Sequence, residues 1–215
     1  MTTWSVDVDL VVGRHSPAGM SWSTVPVVGL AHPVADGWPG GGLVVAGASY
    51  ASRSARPEMN AVRLDAGTTV VERGGLGHGI EHLAVDRHGS MWCGYFDEGI
   101  YGGVDFPGIG APGLVRFDDL SAPAWSVDVP AGFEPVVDCC AMNVGRDVWA
   151  CYNSSFSLVR VRDGTSTFWH NRTGTAPQAP LVDDPRVGLV SAHGDDRHVV
   201  VLEEVSATSP WSASA

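Results

Sequence analysis

The chain contains no lysine: all 13 of its Lys/Arg positions are arginine, set against 24 Asp and Glu, for a formal charge of −11 at pH 7. Without lysine there is no amine for Schiff-base catalysis. With so few cations there is no basic patch of the kind that neutralises phosphates, so neither nucleic acid nor an anionic membrane is expected as a partner. Long apolar runs are missing too, and no segment is expected to span a bilayer. The N-terminal stretch MTTWSVDVDLVVG has no cationic start leading into an apolar core and a small-residue cleavage site. No signal peptide is expected, and the cytoplasm is the expected compartment. Cysteine is scarce, and Cys93, Cys139, Cys140 and Cys151 lack the C-x-x-C spacing of a zinc site. They fall in apolar runs, where a free thiol behaves as a small hydrophobe. Reduced thiols are expected, with Cys139 or Cys140 brought near Cys151 by a hairpin around Val144 and Gly145. There is no nucleophile elbow, no phosphate-cradling loop and no triad, and no metal ligand set is assigned.

What is present is punctuation. The 27 glycines and 14 prolines break the chain into short apolar runs, and none carries the 3.6-residue stripe of a long helix. That pattern reads as all-β. The runs also repeat. HLAVDRHGSMWCGYF (from His82) lies without a gap over CCAMNVGRDVWACYN (from Cys139), placing Asp86 on Asn143, Trp92 on Trp149, Tyr95 on Tyr152 and His82 on Cys139. A second shared element is AVRLDAG, LVRFDDL and LVRVRDG, carrying Arg63, Arg116 and Arg160. A third is TTVVERG, APAWSVDV and TSTFWHN. Upstream, GGGLVVAGASY matches the Trp strand with Gly47 on Gly94, and GLVSAHGDDRHVVVLEE supplies a further turn-and-strand pair. Each unit holds four short strands, a to d, in about 45 to 55 residues, the size of a β-propeller blade.

The segment Asp86-x-x-Gly89-x-x-Trp92-x-Gly94, followed by Gly113-Leu114-Val115-Arg116-Phe117-Asp118, resembles the propeller repeats of two-component-regulator sensor and NHL-type proteins. The resemblance spans roughly residues 26 to 204 and implies a fold rather than an activity. The expected organisation is one domain over residues 1–205, with blades at about 26–79, 80–135 and 136–178 and a partial blade at 179–205. Residues 206–215 form a Ser/Ala-rich tail expected to be disordered. About 3.5 to 4 four-stranded antiparallel blades make an incomplete or truncated propeller. Its open edge strands invite self-association.

In such a meander the a–b and c–d turns share one end, and the b–c and d–a loops share the other. The first end is tight: DRHG, NVGR, DAG and RDG. The second is long, with YASRSARPEM and DEGIYGGVDFPGIGAP as b–c loops, and GGLGHG, PAGFEP and Asn171–Pro185 as d–a loops. Long loops on a rigid scaffold are where binding residues gather. The candidates there are Tyr50, Arg53, Arg56, His78, Asp97, Glu98 and Glu134, with Asp105, Asp183 and Asp184 alongside. They predict a ligand-binding or protein-interaction module using the long-loop face, for a protein or small-molecule ligand. The alternative is a metal-dependent enzyme of lyase or lactonase type, with His78 as base. No cofactor is required, although the acids could hold calcium or magnesium. His82 is expected inside a sheet, DEGIYGG as loop, and HGDDRH as an a–b turn.

Overall fold

The computed structural model describes residues 9–26, 30–50, 59–102, 108–153, 155–183, 186–193, 196–203 and 212–214. The fold is all-β. A hairpin of β1 (Asp9–Ser16) and β2 (Gly19–Pro26) precedes four sheets, each an antiparallel meander of four consecutive strands. The first holds β3 (Leu30–Trp38), β4 (Gly42–Tyr50), β5 (Ala61–Leu64) and β6 (Val70–Gly74). The second holds β7 (Ile80–Val85), β8 (Met91–Tyr95), β9 (Leu114–Phe117) and β10 (Pro123–Ser126). The third holds β11 (Asp138–Val144), β12 (Val148–Asn153), β13 (Ser157–Arg162) and β14 (Thr165–Trp169). The fourth holds β15 (Ala179–Asp183), β16 (Arg186–His193), β17 (Asp196–Glu203) and β18 (Ser212–Ser214).

The hairpin at Asp86 shows why the sequence turns where it does. Gly89 sits at φ +88, a conformation that glycine adopts freely. The Asp86 carboxylate accepts the amides of His88 and Ser90 (2.8 and 3.0 Å) and the Trp92 indole N–H (3.2 Å). One acid therefore shapes the turn and orients the Trp. Trp92 on β8 and Trp149 on β12 are both buried on second strands, and they pair across the ladder with Arg116 and Arg160, respectively. Each guanidinium lies over its partner's ring, at 5.9 and 5.5 Å. In the first sheet Val44 holds the Trp position opposite Arg63, and Arg63 covers Trp38 of β3, two strands away, instead, at 4.9 Å.

Ladder pairing corrects three sequence equivalences. Ala46, not Gly47, is the counterpart of Gly94, because Val44 pairs with Arg63 as Trp92 pairs with Arg116. A one-residue slip of this kind exchanges the faces of a strand. The β11–β12 turn is two residues shorter than the β7–β8 turn, so Asn143 corresponds to Ala84 rather than Asp86. His82 then corresponds to Ala141 rather than Cys139. Asn143 is thus freed from turn duty, and its Nδ2 donates to Pro180 O on β15 (3.1 Å). The register-equivalent Asp36 accepts the Val85 amide of β7 (2.7 Å). The same position ties first strand to first strand in two places.

Period-2 alternation sends successive residues to opposite faces. Val148, Ala150 and Tyr152 join the central core with Val44, Ala46, Trp92 and Val115. Trp149 and Cys151 face the fourth sheet with Val187, Leu189 and Leu202. On the outer face of the first sheet, Val45, Val62 and Leu64 are covered by Val25 and Val12 of the β1–β2 hairpin. The first strands adjoin in succession, β3 to β7, β7 to β11 and β11 to β15. No comparable contact joins β15 to β3 among the described residues. The outer face of the fourth sheet is left with Leu181, Val199 and Val201 exposed.

The fourth sheet departs from expectation by two strands. APLVD, read as loop, is β15, so HGDDRH marks the β16–β17 connection instead of an a–b turn. Proline misled the reading. Pro180 sits on an edge strand paired on one side only, where a missing N–H costs no ladder bond. Ser212–Ser214, expected within the disordered tail, pair with Val201–Glu203 as β18 and complete the fourth strand. The stretch DEGIYGG also departs from loop: Asp97–Tyr101 form one helical turn, α1. Phe96 O accepts the amides of Gly99 and Ile100 (2.9 and 3.1 Å), and Ile100 is buried in the central core.

Candidate functional site

An open cleft of about 640 Å³ lies at the end carrying the b–c and d–a loops, lined by Glu81, His82, Phe96, Asp97, Asp138, Cys140, Phe156 and the segment 176–178. Its walls come from three consecutive sheets. Glu81 and His82 open β7, Asp138 and Cys140 open β11, and residues 176–178 lead into β15. Two β-bulges build the floor. Pairing steps from Ile80↔Tyr95 to His82↔Gly94, and from Cys139↔Tyr152 to Ala141↔Cys151, leaving Glu81 and Cys140 as the extra residues. A bulge re-aims the side chain it inserts.

Close backbone packing sets the position of Asp97. Gly79, at φ +70, lies directly against the Gly99 amide, so a Cβ on Gly79 would collide with α1. Phe96 N donates to Gly79 O (2.9 Å), and Gly79 N to Ala48 O (2.8 Å). The loop before β7 is held by buried Asn60, whose Nδ2 donates to Gly47 O and Gly77 O (2.8 and 2.6 Å) and whose Oδ1 accepts the Leu76 amide (3.0 Å). The Tyr95 hydroxyl donates to Leu76 O beside it. No sequence pattern marked Asn60.

The cleft is electronegative. Burial raises the Asp138 carboxyl above the ordinary aspartate range, and the charges of Glu81 and Asp97 push it further. Burial lowers the His82 imidazole below its usual value, opposed by the charge of Glu81 and by hydrogen bonding to the backbone of Cys140 and Cys139. The Cys140 thiol is lowered by hydrogen bonding with Cys151, whereas burial raises Cys93 to about 12.

Of the candidates read from the sequence, Asp97 lines the cleft. Glu98 instead faces His78, with Oε2 3.5 Å from Nε2. Glu134 is exposed and acts on Tyr152, whose phenol is pushed to about 12 by burial first and by nearby charges, Glu134 among them. Tyr50 ends β4 opposite Leu30. Arg53, Arg56, Asp105 and Asp184 lie outside the described residues. Asp183 belongs to the opposite end, because it closes the β15–β16 turn with an ion pair to Arg186 (2.5 Å). Glu81, His82, Asp138 and Cys140 line the cleft but were not among the candidates. They sit at strand starts, where a bulge turns nominal sheet positions into a wall.

The tight-turn end holds a smaller hollow of about 220 Å³ between the second and third sheets, beside Arg87, Arg116 and Arg146. Among the described residues no three His, Cys, Asp or Glu side chains converge as a metal site. No helix among them is long and apolar enough to cross a membrane. No protein-family model matches the chain, and no curated protein matches its sequence.

Proposed function

We propose that the chain is a cytoplasmic binding module built as an open β-propeller, with the long-loop end as its contact surface. Four antiparallel meanders whose first strands adjoin in sequence support the propeller reading. The observation that carries the binding reading is the cleft, because three sheets contribute to it at the end where the long loops gather. Glu81, Asp97 and Asp138 favour a positively charged group, with Phe96 and Phe156 beside them for an apolar part. A protein side chain or a small metabolite could each supply that combination.

A thermal-shift screen over calcium, magnesium and small cationic metabolites is the test. A genuine ligand should raise the midpoint for the native chain and lose most of that effect in Asp97→Asn and Asp138→Asn. Stability in the free state should move by no more than about 0.5 kcal/mol for exposed Asp97. Asp163→Asn, at the tight-turn end, should leave binding intact. Binding of a cationic group should strengthen as pH rises through the elevated Asp138 titration, because only the ionised carboxylate attracts it. A ligand whose binding is lost in Asp163→Asn but retained in Asp138→Asn would place the contact surface at the other end. A divalent ion that binds through these acids and supports turnover of a lactone would favour the metal-dependent enzyme instead.

The reading also implies self-association. Leu181, Val199 and Val201 form an exposed apolar face on the last sheet, of the kind that another molecule covers. Light scattering is expected to show species larger than 22.6 kDa. The double substitution Val199→Asp and Val201→Asp should return them to monomer. A native chain that scatters as a monomer would remove this part of the proposal.

A further inference from the structure

Cys140 and Cys151 are placed together by the bulge in β11. Without it, Cys140 would alternate to the face opposite Ala141, alongside Met142. The register shift after Cys139 instead sets both Cys140 and Ala141 on the face of Cys151. Packing agrees: Ala141, Cys151 and Cys140 share the cluster against the fourth sheet, while Cys139 lies in the central core. The Cys140 thiol donates to Cys151 O, and the Cys151 thiol donates to Phe156 O, each at 3.2 Å. Cys140 is half-buried and lines the open cleft, whereas Cys93, Cys139 and Cys151 are buried.

We propose that Cys140 and Cys151 form a peroxide-reactive thiol pair, with Cys140 as the attacking sulfur and Cys151 as the resolving one. Three observations assign the roles. Only Cys140 opens onto the cleft. The contact with Cys151 lowers the Cys140 thiol, while that same contact and burial drive the Cys151 thiol up. Cys140 is the bulge residue beside Ala141, which pairs with Cys151, and its Sγ reaches Cys151 O at 3.2 Å, so both thiols lie on one face at one rung of the ladder, where a disulfide needs Cβ atoms about 3.5–4.5 Å apart.

The chemistry balances with a hydroperoxide as oxidant. The Cys140 thiolate attacks one peroxide oxygen, the O–O bond breaks, and an alcohol or water leaves after taking up a proton. Cys140 is then a sulfenic acid. The Cys151 sulfur attacks Cys140, the S–S bond forms, the S–O bond breaks and water leaves. Two thiols have lost two electrons and two protons. The Cys151 hydrogen bond to Phe156 O is lost in the process, so oxidation alters the wall of the cleft. The inference does not depend on which ligand the cleft takes.

The test treats the full reduced chain with hydrogen peroxide near stoichiometry. Free thiols counted under denaturing conditions are expected to fall from the four cysteines present to two, and a thiol reductant should restore all four. Peptide mapping should find a Cys140–Cys151 link. Cys140→Ser should keep its three thiols under the same dose. Cys151→Ser should accumulate a sulfenic acid at Cys140 that a dimedone probe traps. Should that buried substitution prevent folding, iodoacetamide competition on the native chain supplies the second readout, with Cys140 labelled at least tenfold faster than the other three. A link through Cys139 or Cys93, over-oxidation of Cys140 without a link, or thiol loss undiminished in Cys140→Ser would each overturn the proposal.

Discussion

Trp92→Ala is expected to destabilise the chain by about 3–5 kcal/mol, the usual range for deleting a large buried aromatic. Trp92 is 5% exposed and holds the wedge where the second sheet meets Val148 and Val161 of the third. Its ring tilts against Trp125 at 5.5 Å, lies beneath Arg116, and donates its indole N–H to Asp86. Removal opens a cavity, strips Arg116 of its aromatic platform and frees one bond of the turn carboxylate. For a chain of this size, each kcal/mol lowers the midpoint by roughly 2–4 °C, so thermal unfolding should fall by roughly 6–20 °C. Trp92→Phe keeps most of the volume and should lose mainly the hydrogen bond, about 1 kcal/mol beyond the packing change. Trp22→Ala is the control, since Trp22 is 66% exposed on the β1–β2 hairpin. Its cost should stay near 0.5 kcal/mol. A Trp92→Ala midpoint matching that of Trp22→Ala would contradict the wedge role.

Asn60→Ala should cost about 2–4 kcal/mol, for a different reason. Burial is nearly complete at 7% exposure, and the side chain answers two carbonyls and one amide. Alanine leaves all three without their partner in a place that water reaches poorly. The loss should be local as well as global: the Leu76 amide, whose acceptor is Asn60 Oδ1, should exchange with solvent faster by more than the stability change explains. Asn60→Asp should be no better, because a carboxylate would face the carbonyls of Gly47 and Gly77. The loop so loosened carries His78 and Gly79, and through Gly79 the seat of α1. Cleft binding is therefore expected to weaken in Asn60→Ala even at temperatures where the fold persists. Unchanged Leu76 exchange would show that the loop is held by other contacts.

Much of the strand layout was legible because it rests on local chemistry. Asp86 and Gly89 announced their hairpin, since an Asp that bonds its own turn and a Gly at positive φ need no distant partner. Trp92 and Trp149 fell on matching second strands because each repeat carries the same alternation and the same opposed arginine. The hairpin around Gly145 announced that Cys139 or Cys140 would lie near Cys151, and the bulge chose Cys140. Misreadings arose where local rules are neutral. Pro180 looks like a breaker unless one knows that its strand is an edge, and SAS in the tail has too little apolar content to declare itself a strand. Asp97–Tyr101 is too short for any periodicity to reveal, and its helical turn depends on Ile100 finding the core.

The sequence by itself determined an all-β chain, pointed to three four-stranded units with part of a fourth, and announced the turn chemistry and the end at which long loops collect. All of these follow from residue spacing and from propensities expressed within one hairpin. Only the tertiary structure decided which residues line the cleft. Glu81 and Cys140 reach it through bulges, which depend on how two strands settle their register and leave no mark in either strand alone. Asp138 acquires its electrostatic character from burial and from Glu81 of the neighbouring sheet and Asp97 of α1, and His82 mainly from burial. Burial and charge proximity are properties of assembled elements, and residues such as Asp97 and Asp138, well apart along the chain, interact only after the sheets have packed.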